Sequence, residues 1–270
     1  MLKDVLGKDY STLKTKKLYL FDMDGTIYLD NQLFDGVKEL LADIENRGGK
    51  YVFITNNSSK SVDDYVKKLK VLGLSVTKEN FFTSAQAAAM LFNEKFSNKL
   101  IYCQGTRSFI KEMKDSGLKI TEEYNKDANA VLVGFDTELT MEKLKNTCKI
   151  LTEKDVPYYA TNPDWVCPVD FGYIPDCGSM CFGIEKATGK SPIFIGKPQP
   201  TMIEVVMKKF GFSKEETVVF GDRIYTDIAS GVNAGVCSVM VLSGEATMKD
   251  YENSEIKPNF VLNSVKDVLQ

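Results

Sequence analysis

The 270-residue chain has no histidine at all. That absence removes Ser-His-Asp and Cys-His catalysis outright and argues against a zinc enzyme. Any acid–base step must use Asp, Glu, Lys, Tyr or Cys. Cysteine is present but unpatterned: Cys103, Cys148, Cys167, Cys177, Cys181 and Cys237 form no C-x-x-C pair, so they read as reduced, mostly buried thiols rather than a disulfide frame. No apolar run approaches membrane-spanning length. Residues 1–17 mix Lys with Asp and contain no signal-peptide apolar segment. The expectation is a cytoplasmic protein with no membrane partner. A net charge of −3 also leaves nucleic acid out of the expected partners.

What is present is ordinary in bulk and particular in pattern. With 43% hydrophobic and 26% charged residues, the chain has the composition of a globular protein with a sizeable core. Its length suits one large domain or two modest ones. The organising stretch is Lys17-Leu18-Tyr19-Leu20-Phe21-Asp22-Met23-Asp24-Gly25-Thr26, an apolar run of strand length ending in two carboxylates spaced i, i+2. Strand alternation puts Asp22 and Asp24 on the same side. At the C-terminal end of a strand in an open α/β sheet, that side can face the ligand crevice.

The rest of the chain alternates strands and helices. Asp30-Asn31 reads as the turn of a short hairpin. Val37, Leu40, Leu41 and Ile44 lie at helical spacing, and Gly48-Gly49 stop that helix. A second buried strand, 51–54, ends in Thr55-Asn56-Asn57-Ser58-Ser59, and Ser61 with Asp64 resembles a capping box for the helix that follows. Ser84 is the expected cap of a helix over 85–92. Strands are expected at 100–103, 130–134 and 158–160, with helices between them; the last strand ends at Thr161-Asn162-Pro163-Asp164. A helix over 180–187 precedes a strand at 192–195 and then Gly196-Lys197-Pro198. A strand at 217–220 ends in Gly221-Asp222, with Thr226-Asp227 four residues further on. Strands at 238–242 and 260–262 and a final helix close the chain. The fold class is α/β, a doubly wound parallel sheet with helices on both faces.

Four expected strand ends carry polar clusters: Asp22/Asp24, Thr55/Asn56, Lys197 and Asp222/Asp227. In a doubly wound sheet such ends can converge on one crevice. Clustered carboxylates without His or Cys favour a hard cation, and Mg²⁺ fits best. A lysine beside such a site suits a phosphate. Taken singly, Lys197 also reads as a solvated loop lysine, Asp227 as the N-terminal charge of the next helix, and Thr55 and Asn56 as turn formers.

The ordered set Asp22-Met23-Asp24-Gly25-Thr26, Thr55-Asn56-Asn57, Gly196-Lys197-Pro198 and Gly221-Asp222 with Thr226-Asp227 resembles the four motifs of the haloacid dehalogenase (HAD) superfamily phosphatases. Ala160-Thr161-Asn162-Pro163-Asp164 and Gly183-Ile184-Glu185-Lys186 further resemble the NagD-like, or 4-nitrophenylphosphatase, subgroup. The resemblance implies a catalytic core over 1–83 and 183–270, with a large α/β cap inserted over 84–182. It implies a Mg²⁺-dependent phosphatase acting on small-molecule phosphomonoesters such as nucleotide monophosphates, sugar phosphates and nitrophenyl phosphate. Asp22 resembles the nucleophile that becomes an aspartyl-phosphate, and Asp24 the acid and then base. Thr55, Asn56 and Asn57 resemble the phosphate-binding segment. Lys197 resembles the cation that offsets charge on Asp22 and the phosphate. Asp22, the backbone carbonyl of Asp24, Asp222 and Asp227 resemble the Mg²⁺ ligands. Pairing as a homodimer is also implied. Arg223 departs from the pattern, since many relatives carry Asn there.

Two other functions fit the same residues. A phosphotransferase or phosphomutase differs only in what accepts the phosphoryl group. A phospho-aspartate regulatory protein gathers Asp, Thr and Lys around Mg²⁺ but has no need of Asp24. Within the insertion, Asn162, Asp164 and Tyr173 are the first candidates for contact with the leaving part of the substrate.

Overall fold

The computed structural model of the chain describes residues 2–169 and 171–270. The chain divides into two compact units. One is formed by Met1–Thr55, Val66–Phe82 and Lys197–Gln270, the other by Asn56–Tyr65 and Thr83–Gly196.

The first unit is built on a six-stranded sheet in the order Phe260–Leu262, Cys237–Val241, Thr217–Gly221, Leu18–Phe21, Lys50–Thr55, Phe81–Thr83. The first five strands run parallel. Every residue of Leu18–Phe21 is buried, as expected for a central parallel strand covered on both faces. Its register is fixed by aromatic side chains. Phe21 stands opposite Phe220 on one neighbour and Phe53 on the other, with ring centroids 5.0 and 6.5 Å away. Phe81 continues the row, 5.3 Å from Phe53. A one-residue slip would turn every member of this row to the opposite face. At Phe21, Phe53 and Phe220 the row lies within two residues of the C-terminal strand ends, so it levels Asp22 with Gly221 and places Asp222 one residue beyond. The main-chain N–H of Asp22 donates to Phe220 O at 2.9 Å.

The short hairpin forms where Asp30-Asn31 predicts it, pairing Tyr28–Leu29 with Gln32–Leu33. Asp30 adopts a positive φ of 51°, a conformation that short polar side chains tolerate.

The second unit carries a five-stranded parallel sheet in the order Ile193–Phe194, Tyr158–Ala160, Ala130–Val133, Leu100–Gln104, Lys119–Thr121. It is wider than the expected insertion over 84–182. The strand at 193–194 pairs with Tyr159 and Ala160, so Lys197 follows a strand of this second sheet and not one of the first. The helix Cys177–Thr188 also belongs here. Cys177, Cys181 and Ile184 line one helical stripe that packs with Val133, Tyr158 and Ala160. Asp176 caps its start and Gly189 ends it at φ 71°.

Two smaller expectations change. Thr83, not Ser84, caps the helix Ser84–Lys95, with Gln86 completing a reciprocal capping box. An antiparallel hairpin, Val166–Val169 with Gly172–Pro175, had no alternating signal in the sequence. It exposes Phe171 and Tyr173.

Phe220 ends the aromatic row on the strand Thr217–Gly221, with no exposed surface. Phe220→Ala should lower unfolding stability by about 3–5 kcal/mol, read from the urea denaturation midpoint. A loss below roughly 1 kcal/mol would mean the row is not what holds the register.

Candidate active site

Three carboxylates of the first unit converge. Asp22, Asp222 and Asp227 each offer an oxygen, and these oxygens lie within 4.8 Å of one another. Asp22 leaves the end of Leu18–Phe21, and Asp222 the end of Thr217–Gly221. Asp227 lies in the single π-helical turn Ile224–Ile228, and its Oδ2 accepts the main-chain N–H of Arg223 at 3.1 Å. Lys197 enters this group almost fully buried. Its Nζ donates to Asp22 Oδ1 at 2.5 Å, to Asp227 Oδ1 at 2.6 Å and to the carbonyl of Ile54 at 3.3 Å. The next residue on that strand is Thr55, also buried.

The electrostatics follow from burying three acids with one ammonium. Burial, then the charge of Asp227, push the Asp22 carboxyl well above the usual range, although Lys197 opposes them. Burial and Asp227 push Asp222 up to about 6, while the N–H of Glu245 holds it down. Burial works against the charge on Lys197, but Asp22 and Asp227 outweigh it and raise its pKa.

Asp222 is held by a loop that the sequence did not single out. Glu245 N donates to its Oδ2 at 2.8 Å, and Thr26 Oγ1 reaches its Oδ1 at 3.4 Å. Ser243 Oγ donates to Gly25 O at 2.8 Å and ties that loop to the first motif. Two glycines make room. A Cβ at Gly244 would sit 2.1 Å from Asp222 Oδ2, and one at Gly25 2.3 Å from the same oxygen. Gly25 also holds a φ of 82°, which other residues adopt at a cost. Leu242-Ser243-Gly244 repeats the strand-then-polar pattern of the motifs, and that was the available signal.

The donor set suits a hard divalent cation. It is all oxygen, it carries more negative charge than Lys197 neutralises, and the glycines cradle Asp222 where a Cβ would fill the space. Among the described residues no other group of three acidic or thiol side chains could hold a metal in this way.

The Asp24 side chain is not part of the cluster. It is about half exposed, with Tyr28 Oη donating to its Oδ2 at 3.2 Å and Lys68 Nζ 3.9 Å from its Oδ1. Arg223 pairs with Glu245 at 2.8 Å.

Asn56 and Asn57 belong to the second unit. Asn57 Oδ1 accepts the N–H and the hydroxyl of Ser59, closing its own turn. Asn56 Nδ2 donates to Asp164 Oδ2 at 2.8 Å, and Asn162 Nδ2 reaches the same oxygen at 2.7 Å. Asn162 Nδ2 also reaches Asp176 Oδ1 at 2.9 Å. Ser58 and Thr161 share a hydrogen bond of 2.9 Å beside them. Asn162 and Asp164 are therefore buried members of an internal network. Tyr173 remains exposed.

Comparison with known proteins agrees with this fold. Residues 19–119 match the haloacid dehalogenase-like hydrolases, and residues 194–268 match a HAD-hydrolase-like family. An acid sugar phosphatase of Staphylococcus aureus is 30% identical over 257 residues, covering 95% of this chain and 98% of that protein. The crystal structure of a 4-nitrophenylphosphatase from Thermotoga maritima superimposes with a TM-score of 0.90 at 39% identity, over 95% of this chain and 97% of that one. A glycerol phosphate phosphatase from Mycobacterium tuberculosis, solved in complex with magnesium, gives a TM-score of 0.90 at 27% identity, over 97% and 78% of the two chains.

Such similarity along nearly the whole length places the chain among the haloacid dehalogenase-like hydrolases. Within them it falls in the 4-nitrophenylphosphatase, or NagD-like, group and is a phosphatase of phosphomonoesters.

Gly244→Ala should press a methyl group onto the Asp222 carboxylate and weaken divalent-cation binding roughly 10-fold or more, read by titration calorimetry with Mg²⁺. Unchanged affinity would show that Asp222 does not depend on this loop.

Proposed function

We propose that this chain is a Mg²⁺-dependent phosphatase that hydrolyses small phosphomonoesters, with sugar phosphates and nitrophenyl phosphate as the first substrates to try, through an aspartyl-phosphate on Asp22. The observation that carries the proposal is Lys197 Nζ, buried and bonded to both Asp22 and Asp227 beside Asp222. The named activities of the sugar phosphatase and the 4-nitrophenylphosphatase support the substrate class. Asp22, Asp222 and Asp227, with the main-chain carbonyl of Asp24, would hold Mg²⁺, and the magnesium in the glycerol phosphate phosphatase supports that choice. When bound, the ion would offset negative charge on the phosphoryl group and fix its orientation.

The residues of the chain then divide the reaction between them. An oxygen of Asp22 attacks phosphorus while the bond to the leaving oxygen breaks, and Asp24 gives that oxygen a proton. In the second step Asp24 takes a proton from water as the water oxygen bonds to phosphorus and Asp22 departs. Lys197 steadies Asp22 and the phosphoryl oxygens, and Thr55 donates its hydroxyl to them. Asn56 and Asn57 continue the same segment and would contribute main-chain donors. Within the insertion, Asn162, Asp164 and Tyr173 are the first candidates for contact with the leaving group. Six scattered cysteines with no C-x-x-C pair agree with a reducing, cytoplasmic setting. Homodimer formation belongs to the same proposal.

The test is phosphate release from a panel of monoesters. Wild-type activity should disappear in a chelator and return with Mg²⁺. Asp22→Asn should leave almost no turnover. Asp24→Asn should lose a factor of about 10²–10⁴ on substrates with poor leaving groups. Transfer of the phosphoryl group to an acceptor other than water, without release of inorganic phosphate, would replace hydrolase by phosphotransferase. Full activity in chelator would remove the metal from the scheme.

A further inference from the structure

Asp24 stands two residues from Asp22, yet its carboxylate belongs to a different environment. The buried cluster already holds three acids, and a fourth carboxylate entering it would meet like charge. Lys197 is engaged by Asp22 and Asp227. What faces Asp24 is a second, smaller constellation. Tyr28 Oη donates to Oδ2 at 3.2 Å, Lys68 Nζ lies 3.9 Å from Oδ1, and the same Nζ sits 3.7 Å from the centroid of the Tyr28 ring. The three groups close a triangle of hydrogen bond, ion pair and cation–π contact.

The backbone explains how Tyr28 comes to be there. After Met23 the chain folds back on itself: Ile27 N donates to Met23 O at 2.8 Å, and Gly25 N to Tyr28 O at 2.8 Å. This returns the Tyr28 ring, fully buried, to the level of Asp24, with only its hydroxyl end at the carboxylate. Lys68 comes from the helix Val62–Val71 and is partly shielded where it meets the ring. A half-exposed carboxylate without such partners would sample several rotamers. A proton donor is effective only when held within a fraction of an ångström of its target.

We infer that Tyr28 and Lys68 are positioning residues for the Asp24 carboxylate, fixing the rotamer from which it delivers a proton to the leaving oxygen. The inference rests on the acid–base role given to Asp24 above. The step itself is unchanged: the P–O bond to the leaving group breaks, phosphorus bonds to Asp22, and the proton of Asp24 passes to the departing oxygen. Misplacing Asp24 therefore harms substrates in proportion to how much their leaving oxygen needs that proton. Nitrophenolate needs it little, and a sugar or alkyl alkoxide needs it greatly.

The experiment is kcat/KM, which reports the chemistry up to the first irreversible step, for aryl phosphates of increasing leaving-group basicity and for one alkyl phosphate. It compares wild type, Tyr28→Phe, Lys68→Gln, Lys68→Arg and Asp24→Asn. Tyr28→Phe and Lys68→Gln should each lower the alkyl phosphate on the order of 10-fold or more and nitrophenyl phosphate by less than about 3-fold. The leaving-group dependence should steepen toward that of Asp24→Asn. Lys68→Arg, which keeps the cation over the ring, should recover most of the loss. Lys68 is partly exposed, so its variants keep the test open even where Tyr28→Phe folds poorly. A common factor across all leaving groups, or no change, while Asp24→Asn is steep, overturns the inference. A flat dependence in Asp24→Asn itself overturns the acid–base role beneath it.

Discussion

The rest of the site depends on one buried ammonium group held between two carboxylates. Lys197 Nζ contacts Asp22, Asp227 and the Ile54 carbonyl, so it ties together the ends of two neighbouring strands and the turn that follows a third. Burying a charge without a partner is prohibitive, and burying a pair repays its desolvation only when the geometry is good and the remaining polar atoms are satisfied. Here one cation faces three acids, and the imbalance keeps Asp22 and Asp222 hard to ionise together. The local arrangement is therefore poor as a stabilising ion pair and suited to attracting a further cation. That is the state expected of a site where interaction energy serves chemistry in preference to stability.

Such a site needs a scaffold that does not yield. The aromatic row Phe220, Phe21, Phe53 and Phe81 fixes the register of four adjacent strands, and the strand ends beyond it are the motif positions. Packing and chemistry are thus one or two residues apart. The glycines Gly25 and Gly244 work at the same scale, since each gives Asp222 space that a single methyl group would take away. The apolar core sets where the strand ends lie, and the absence of side chains sets how closely the loops approach them.

Much of this was legible in the sequence because buried parallel strands advertise themselves. Leu18–Phe21, Lys50–Thr55 and Thr217–Gly221 are apolar runs that end abruptly in polar residues, and convergence of their ends follows from the architecture. The brief strand Ile193–Phe194 was visible as a strand, but its sheet was not, because parallel pairing with Tyr159 and Ala160 is a long-range choice that local pattern does not record. The hairpin Val166–Val169 with Gly172–Pro175 escaped notice because its exposed aromatics break the alternation that betrays a half-buried strand. Asn162 and Asp164 look like surface turn residues until their hydrogen bonds to one another and to Asn56 are seen. Tyr28 and Lys68 carry no motif. Their meeting at Asp24 depends on a helix more than thirty residues downstream in the sequence.

The lack of histidine has a counterpart in the position of the thiols. Cys103, Cys177 and Cys181 are buried, and Cys148, Cys167 and Cys237 are partly so. Among the described residues the acidic cluster contains neither a thiol nor an imidazole. Carboxylates, a lysine and a hydroxyl are inert to the mild oxidants and alkylating agents that silence cysteine- and histidine-dependent enzymes. Cys177 and Cys181 instead sit in the apolar heart of the second unit, where an added oxygen would disrupt packing. Oxidative stress would therefore reach this enzyme as a loss of folded protein, with each molecule that stays folded keeping its full chemical competence.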